Sequence, residues 1–174
     1  MDLIINYRGF DNDIRNSFKD LIVEFHLELM ELSEGSYLLK GESCNLRFTY
    51  DRGDIACDLK QPFDIEDSPG YNIWQVYRFL YPDKSKLEHK ERLYDKKLQL
   101  LEHAEIIQEN LKDVLSGNFS WLNKFMEDKK KEDKIFSIAF DLDYEHPIKI
   151  KLRQGDLTWR DDIEKYLIAN NIVL

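Results

Sequence analysis

Residues Cys44 to Lys60, CNLRFTYDRGDIACDLK, leave this chain few folds to choose from, because their two arms alternate around a single turn. Leu46, Phe48 and Tyr50 interleave with polar residues before Asp51-Arg52-Gly53-Asp54, and Ile55, Cys57 and Leu59 do so after it. Successive side chains of a strand point to opposite faces, so this pattern predicts two half-buried strands. An even loop centred on Arg52-Gly53 pairs Tyr50 with Ile55, Phe48 with Cys57 and Leu46 with Leu59, all on one face. It also sets Arg47 opposite Asp58 on the other face. A three-residue loop would slip the register and turn Ala56 and Asp58 toward the core. Gly53 supplies the positive φ that a tight turn needs.

The flanking segments extend the hairpin into a meander. Asp11 or Asn12 can cap a helix carrying Ile14, Phe18, Leu21, Ile22 and Phe25. Leu27 and Leu29 begin a strand, a turn at Ser33-Glu34-Gly35-Ser36 leads to Tyr37–Lys40, and about four antiparallel strands result. A loop from Gln61 to Gly70 is punctuated by Pro62, Pro69 and Gly70. An aromatic helix over Asn72 to Tyr81 follows, with Ile73, Val76, Tyr77 and Leu80 on one side, and Pro82 ends it. Ser85-Lys86-Leu87-Glu88 has the form of a capping box. It predicts a long central helix to Ser116, striped by Tyr94, Leu98, Leu101, Ala104, Ile107, Leu111 and Val114 and stopped by Gly117. Asn118 or Ser120 then caps a helix with Trp121, Leu122, Phe125 and Met126. Phe136, Ile138, Phe140 and Leu142, then Ile148, Ile150 and Leu152, predict a second hairpin over 135–153. Thr158 to Asp161 is a weaker capping box for a last helix, and Ile172-Val173-Leu174 is expected to dock. The expected class is α+β, an antiparallel β-meander packed with helices plus a C-terminal β-hairpin and helix. It forms one domain over 1–174, with 135–174 set apart as a candidate C-terminal subdomain.

With 43% hydrophobic and 34% charged residues among 174, the composition is that of a globular chain able to bury one sizeable core. No apolar run approaches the roughly 20 residues that span a bilayer. Met1-Asp2-Leu3 lacks the basic start and apolar core of a signal peptide, which points to the cytoplasm. The 34 acidic against 25 basic residues, a net charge of −9, disfavour a protein that tracks nucleic-acid phosphates and suit either a basic partner or, more commonly, simply a soluble protein. In the register above, Cys44 and Cys57 stand about 13 Å apart along the strands, too far for a disulfide, so both are read as free thiols.

Several residues invite a chemical reading. Arg52-Gly53-Asp54 matches an adhesion tripeptide, but a turn favours all three types. Asp141, Asp143 and Glu145 could converge on a hard metal ion, making a metal-binding protein or a metal-dependent enzyme the alternative function. Lys149, Lys151 and Arg153 on the returning strand would instead pair with those acids. His89 and His103, nearly four helical turns apart, are read as surface or edge positions. His26 is expected on the sheet face opposite the apolar one that carries Cys57. Lys129-Lys130-Lys131 reads as the exposed end of a helix. Asp64, Glu66 and Asp67 lie in a loop just before the aromatic helix. With Trp74 and Tyr77 they are the candidate partner-binding site, the alternatives being a solvated loop and simple core packing of the rings. No Walker loop, dinucleotide-binding glycine pattern, zinc spacing or nucleophile elbow occurs, so no cofactor is expected.

The order of these parts resembles a known group. The meander segment LRFTYDRGDIACDLK, the aromatic helix IWQVYRFLYP and the helix end ENLKDVLSGNFSWLNKF, over roughly Asp11 to Met126, resemble small uncharacterised bacterial proteins. These include immunity proteins encoded beside polymorphic or contact-dependent toxins. The resemblance rests on pattern, transfers no functional residue and does not extend over 135–174. It implies a cytoplasmic, non-enzymatic protein that binds one toxin domain and blocks it. A basic toxin would suit the acidic charge. A structural homo-oligomer joined through the aromatic helix is the remaining expectation.

Overall fold

The structure is a computed structural model that describes residues 8–64, 70–85 and 95–172. It is an α+β protein that divides into two compact units, Met1–Ser120 and Trp121–Leu174. Among the described residues no helix is long and apolar enough to cross a membrane.

The N-terminal unit is built on an antiparallel sheet in simple sequence order, β1 (Glu28–Ser33), β2 (Ser36–Lys40), β3 (Asn45–Asp51), β4 (Asp54–Lys60) and β5 (Tyr71–Asn72). The β3–β4 register is the expected one throughout, Leu46 to Leu59, Phe48 to Cys57, Tyr50 to Ile55 and Arg47 to Asp58. Arg52 and Gly53 both take positive φ, 50° and 95°, as a two-residue hairpin turn requires. The two-residue β5 was not anticipated. It pairs Asn72 with Asp58 and Tyr71 with Leu59, at the junction between the expected loop, ending at Gly70, and the expected start of the aromatic helix at Asn72.

One sheet face carries Tyr37, Leu39, Leu46, Phe48, Ile55, Cys57 and Leu59, all buried. Helices cover it. The N-terminal helix is two, α1 (Phe10–Ser17) and α2 (Lys19–Glu24), and α1 starts after Gly9 at φ 76°, with no side chain of Asp11 or Asn12 capping it. Its buried Phe10, Ile14, Phe18 and Leu21 face the sheet, with Phe18 meeting Phe48 edge-on at 4.8 Å and Phe10 meeting Tyr37 at 5.6 Å. The aromatic helix is α3 (Ile73–Leu80), capped by Asn72, whose Oδ1 accepts from the Trp74 N–H at 3.1 Å. α3 ends before Pro82, as expected, and Pro82 opens a short separate helix, α4 (Pro82–Ser85).

The long central helix is shorter than expected. The proposed box at Ser85–Glu88 falls partly outside the described residues. The described helix α5 (Lys96–Asn110) begins at Asp95, whose side chain accepts from the Lys97 and Leu98 amides at 2.8 and 3.1 Å. A separate α6 (Lys112–Leu115) follows, and Gly117 stands just past it at φ 93°. Of the expected stripe Ala104, Ile107, Leu111 and Val114 are buried, but Leu98 and Leu101 are 49% and 44% exposed, and Gln99, Leu100, His103 and Ile106 are buried in their stead.

The C-terminal unit is helical where a hairpin was expected. It consists of α7 (Leu122–Asp141), α8 (Pro147–Gln154) and α9 (Trp159–Ala169) around buried Ala139, Ile148, Trp159, Ile163 and Leu167. Ile135, Ile138 and Leu142 pack against that core, which with Ala139 makes helical i, i+3, i+4, i+7 spacing within the same residues that alternate. Pro147 sits at the first turn of α8, with His146 Nδ1 accepting from the Ile148 N–H at 3.3 Å, so it starts a helix rather than closing a hairpin turn. Gly155, at φ 72°, stops α8. The lysine run 129–131 consequently lies within α7, not at its end. Thr158 contributes no side-chain cap to α9. Asp156 Oδ1 instead accepts from the Thr158 amide and hydroxyl at 3.0 and 2.8 Å, and these bonds hold its carboxyl below the usual range.

Candidate binding site

Of the acidic loop, only Asp64 belongs to the described residues; Glu66 and Asp67 lie outside them. Asp64 is half-buried and closes its own turn, its Oδ2 accepting from the Gln61 N–H at 2.8 Å while its amide donates to the Gln61 carbonyl at 3.1 Å. Trp74 is half-buried on α3 and meets Tyr77 edge-on at 6.3 Å. Tyr77 does not belong to a contact surface. It is 1% exposed, packed on the core face beside Ile73 and Val76, which is the core-packing reading of this ring.

Asp141, Asp143 and Glu145 are exposed, at the end of α7 and in the connection to α8, not on one face of a strand. Among the described residues no group of three His, Cys, Asp or Glu side chains is placed to hold a metal ion. The cations expected to pair with these acids are used otherwise. Lys149 Nζ donates to the Leu142 carbonyl at 2.8 Å and stands 5.1 Å from the Phe140 centroid. Lys151 bonds Asp162. The Arg153 guanidinium lies 3.9 Å from the Tyr144 centroid and donates to its hydroxyl at 2.6 Å.

Cys44 and Cys57 are free and buried, at 1% and 0% exposure. Burial pushes the Cys44 thiol up to about 12 and the Cys57 thiol well above its ordinary value, so neither is a thiolate nucleophile. His26 lies in the connection from α2 to β1, exposed and with φ 50°. His103 is not at the surface. It is 4% exposed, and desolvation lowers its pKa from 6.5 to about 4.

Lys60, Gln99 and His103 are among the polar residues whose burial the sequence did not reveal. Lys60 is 1% exposed at the end of β4. Gln99 reaches from α5 to the hairpin, its Oε1 accepting from the Ile55 N–H at 2.8 Å and its Nε2 donating to the Gly53 carbonyl at 2.8 Å. His103 lies one helical turn beyond Gln99 on the same face.

The sequence reading also missed the surface of the C-terminal unit. Phe136, Phe140 and Tyr144 are 48%, 56% and 61% exposed, spaced four residues apart. Phe136 and Phe140 stack at 6.2 Å with 17° between their planes, and Phe136 meets Trp159 edge-on at 6.1 Å. Beside them, Glu132, Asp133, Ile135, Phe136, Trp159, Arg160 and Glu164 line a cleft of about 360 Å³. Four-residue spacing accounts for it: Glu132 and Phe136 share a face of α7, as Arg160 and Glu164 share a face of α9. The spacing of Phe136, Phe140 and Tyr144 was visible in the sequence, but read at period two it pointed to strands.

No family model, curated protein or solved structure matches this chain.

Proposed function

We propose that the chain is a non-enzymatic, cytoplasmic binding protein that takes a basic protein partner, in the manner of the immunity proteins it resembles. The observation that carries the reading is the exposed aromatic row Phe136, Phe140 and Tyr144 beside a cleft lined by three carboxylates. Exposed aromatic rings next to charge are the composition of contact surfaces rather than of ordinary solvated helices. The net charge of −9 adds a long-range attraction that speeds encounter with a cationic partner.

The test uses the product of the reading frame beside this one, purified and titrated with the full chain by calorimetry at low and high salt. A saturable complex that weakens with salt, together with suppression of that product's toxicity, is the expected result. A complex without suppression would refute the immunity role and leave the binding role. Absence of any complex would refute the immunity role and this product as the partner.

A further inference from the structure

We infer that the cleft between α7 and α9 is a receptor for an arginine side chain presented by a basic partner; the inference rests on the binding role above and gives it a site. The aromatic rings of this unit repeatedly hold a cation of the chain itself. Lys149 stands over Phe140 at 5.1 Å, Arg153 over Tyr144 at 3.9 Å and Arg160 over Trp159 at 5.8 Å. Each lies within the roughly 6 Å at which the negative face of a ring attracts a cation. Phe136 belongs to the same cluster through its contacts with Phe140 and Trp159, is 48% exposed, and lines the cleft. Among the described residues no cation stands over it.

The charge around the cleft is what such a cation would require. Glu132, Asp133 and Glu164 face one guanidinium, Arg160, and none of the three takes part in an ion pair between described residues. A cleft of about 360 Å³ is near the lower end of the volumes that small ligands fill, so it admits a side chain rather than a folded element. A guanidinium fits better than an ammonium. Its planar face can lie on Phe136 while its edge donates in fork geometry to carboxylates of α7 or α9. Arg160, already over Trp159, is a guanidinium in the same surroundings.

Isotope-labelled full chain is titrated with acetyl-Gly-Arg-Gly-amide and with the same tripeptide carrying citrulline, its neutral isostere. The arginine peptide should shift the Trp159 indole and the amides of 132–136 and 160–164 saturably, with a Kd on the order of millimolar. The citrulline peptide should bind at least about fivefold more weakly. Phe136→Leu keeps an apolar side chain at an exposed position and should weaken arginine binding about three- to tenfold. Glu132→Gln combined with Glu164→Gln should weaken it and flatten its salt dependence. Equal response to citrulline, shifts that do not saturate, or unchanged affinity in Phe136→Leu would overturn the inference. Arginine binding without any complex with the neighbouring product would keep the cleft and remove the immunity role. A complex of unchanged affinity in Phe136→Leu would keep that role and remove the cleft.

Discussion

Gln99 acts as a strand that is not there. Strand β5 pairs only with Asp58 and Leu59, so the turn end of β4 has no strand neighbour on that side. The Gln99 side-chain amide accepts from the Ile55 N–H and donates to the Gly53 carbonyl, both at 2.8 Å, as a peptide group of a neighbouring strand would. Gln99→Met keeps length and helix propensity but removes both bonds. Ile55 is 7% exposed, so its amide is left unpaired away from water, at a cost of about 1–3 kcal/mol. Gly53 is half-buried, so its carbonyl recovers part of its loss through hydration. The sum is about 2–3 kcal/mol, which lowers the melting temperature by about 5–10 °C.

The assay is thermal and urea unfolding of the variant, with hydrogen exchange at the Ile55 amide as the local reading. Exchange there should accelerate even where the rest of the sheet stays protected. A companion variant, Gln99→Glu, keeps the acceptor for Ile55 but sets a carboxylate against the Gly53 carbonyl. Burial would raise that carboxyl's pKa on folding, so the folded state would bind more protons. Stability should therefore fall as pH rises from about 5 to 8 relative to the natural chain. A change below about 0.5 kcal/mol in Gln99→Met, or an Ile55 amide as protected as before, would refute the reasoning.

Other buried groups lead to shorter expectations. The pKa of His103 is depressed to about 4, so the unfolded chain binds the extra proton below its ordinary 6.5. The stability this contributes is full above about pH 6.5 and is lost toward pH 4, on the order of 3 kcal/mol; His103→Leu should remove that slope, and an equal slope in both chains by denaturation would count against it. Cys44 and Cys57 should resist iodoacetamide at pH 8 until urea unfolds the chain. Stoichiometric labelling of the native protein within minutes, seen by mass spectrometry, would contradict their burial. Gly41→Ala should cost about 1–3 kcal/mol, because a Cβ there would lie 2.7 Å from both the Cys44 carbonyl oxygen and Leu27 Cδ2; urea melting that leaves stability unchanged would show that the turn can yield.

The N-terminal unit was legible because the central stretches of β3 and β4 alternate between a buried and a less buried face, and a period-two pattern then admits a single register. Tyr50 to Ile55 and Leu46 to Leu59 followed from alternation alone, and Arg52-Gly53 from the parity of the loop. The two-residue β5 was not legible, since two residues carry no period. The buried face of α5 was legible at Ala104 and Ile107 but misassigned at Leu98 and Leu101, because Gln99 and His103 occupy core positions there. A polar residue in the core is licensed by a partner distant in sequence, here the Ile55 amide forty-four residues away.

The C-terminal unit failed differently, and the failure hid the candidate site. Phe136, Ile138, Phe140 and Leu142 satisfy period two, yet Phe136 and Phe140 are also i and i+4 of a helix. Ile135, Ile138, Ala139 and Leu142 complete its buried stripe. Four alternating residues cannot decide between the two periods. What decides is the continuity of α7 through the charged run 127–134, whose Glu, Lys and Asp residues contain no glycine or proline to stop it. Read as a strand, the segment turns Phe136 and Phe140 inward and assigns Lys149 and Arg153 to carboxylates. Folded as a helix, it turns the two rings outward, and those cations stand over Phe140 and Tyr144 instead. The acids Glu132, Asp133 and Glu164 are then left around a cleft without a counter-ion pair, so the error in period and the overlooked arginine receptor have one cause.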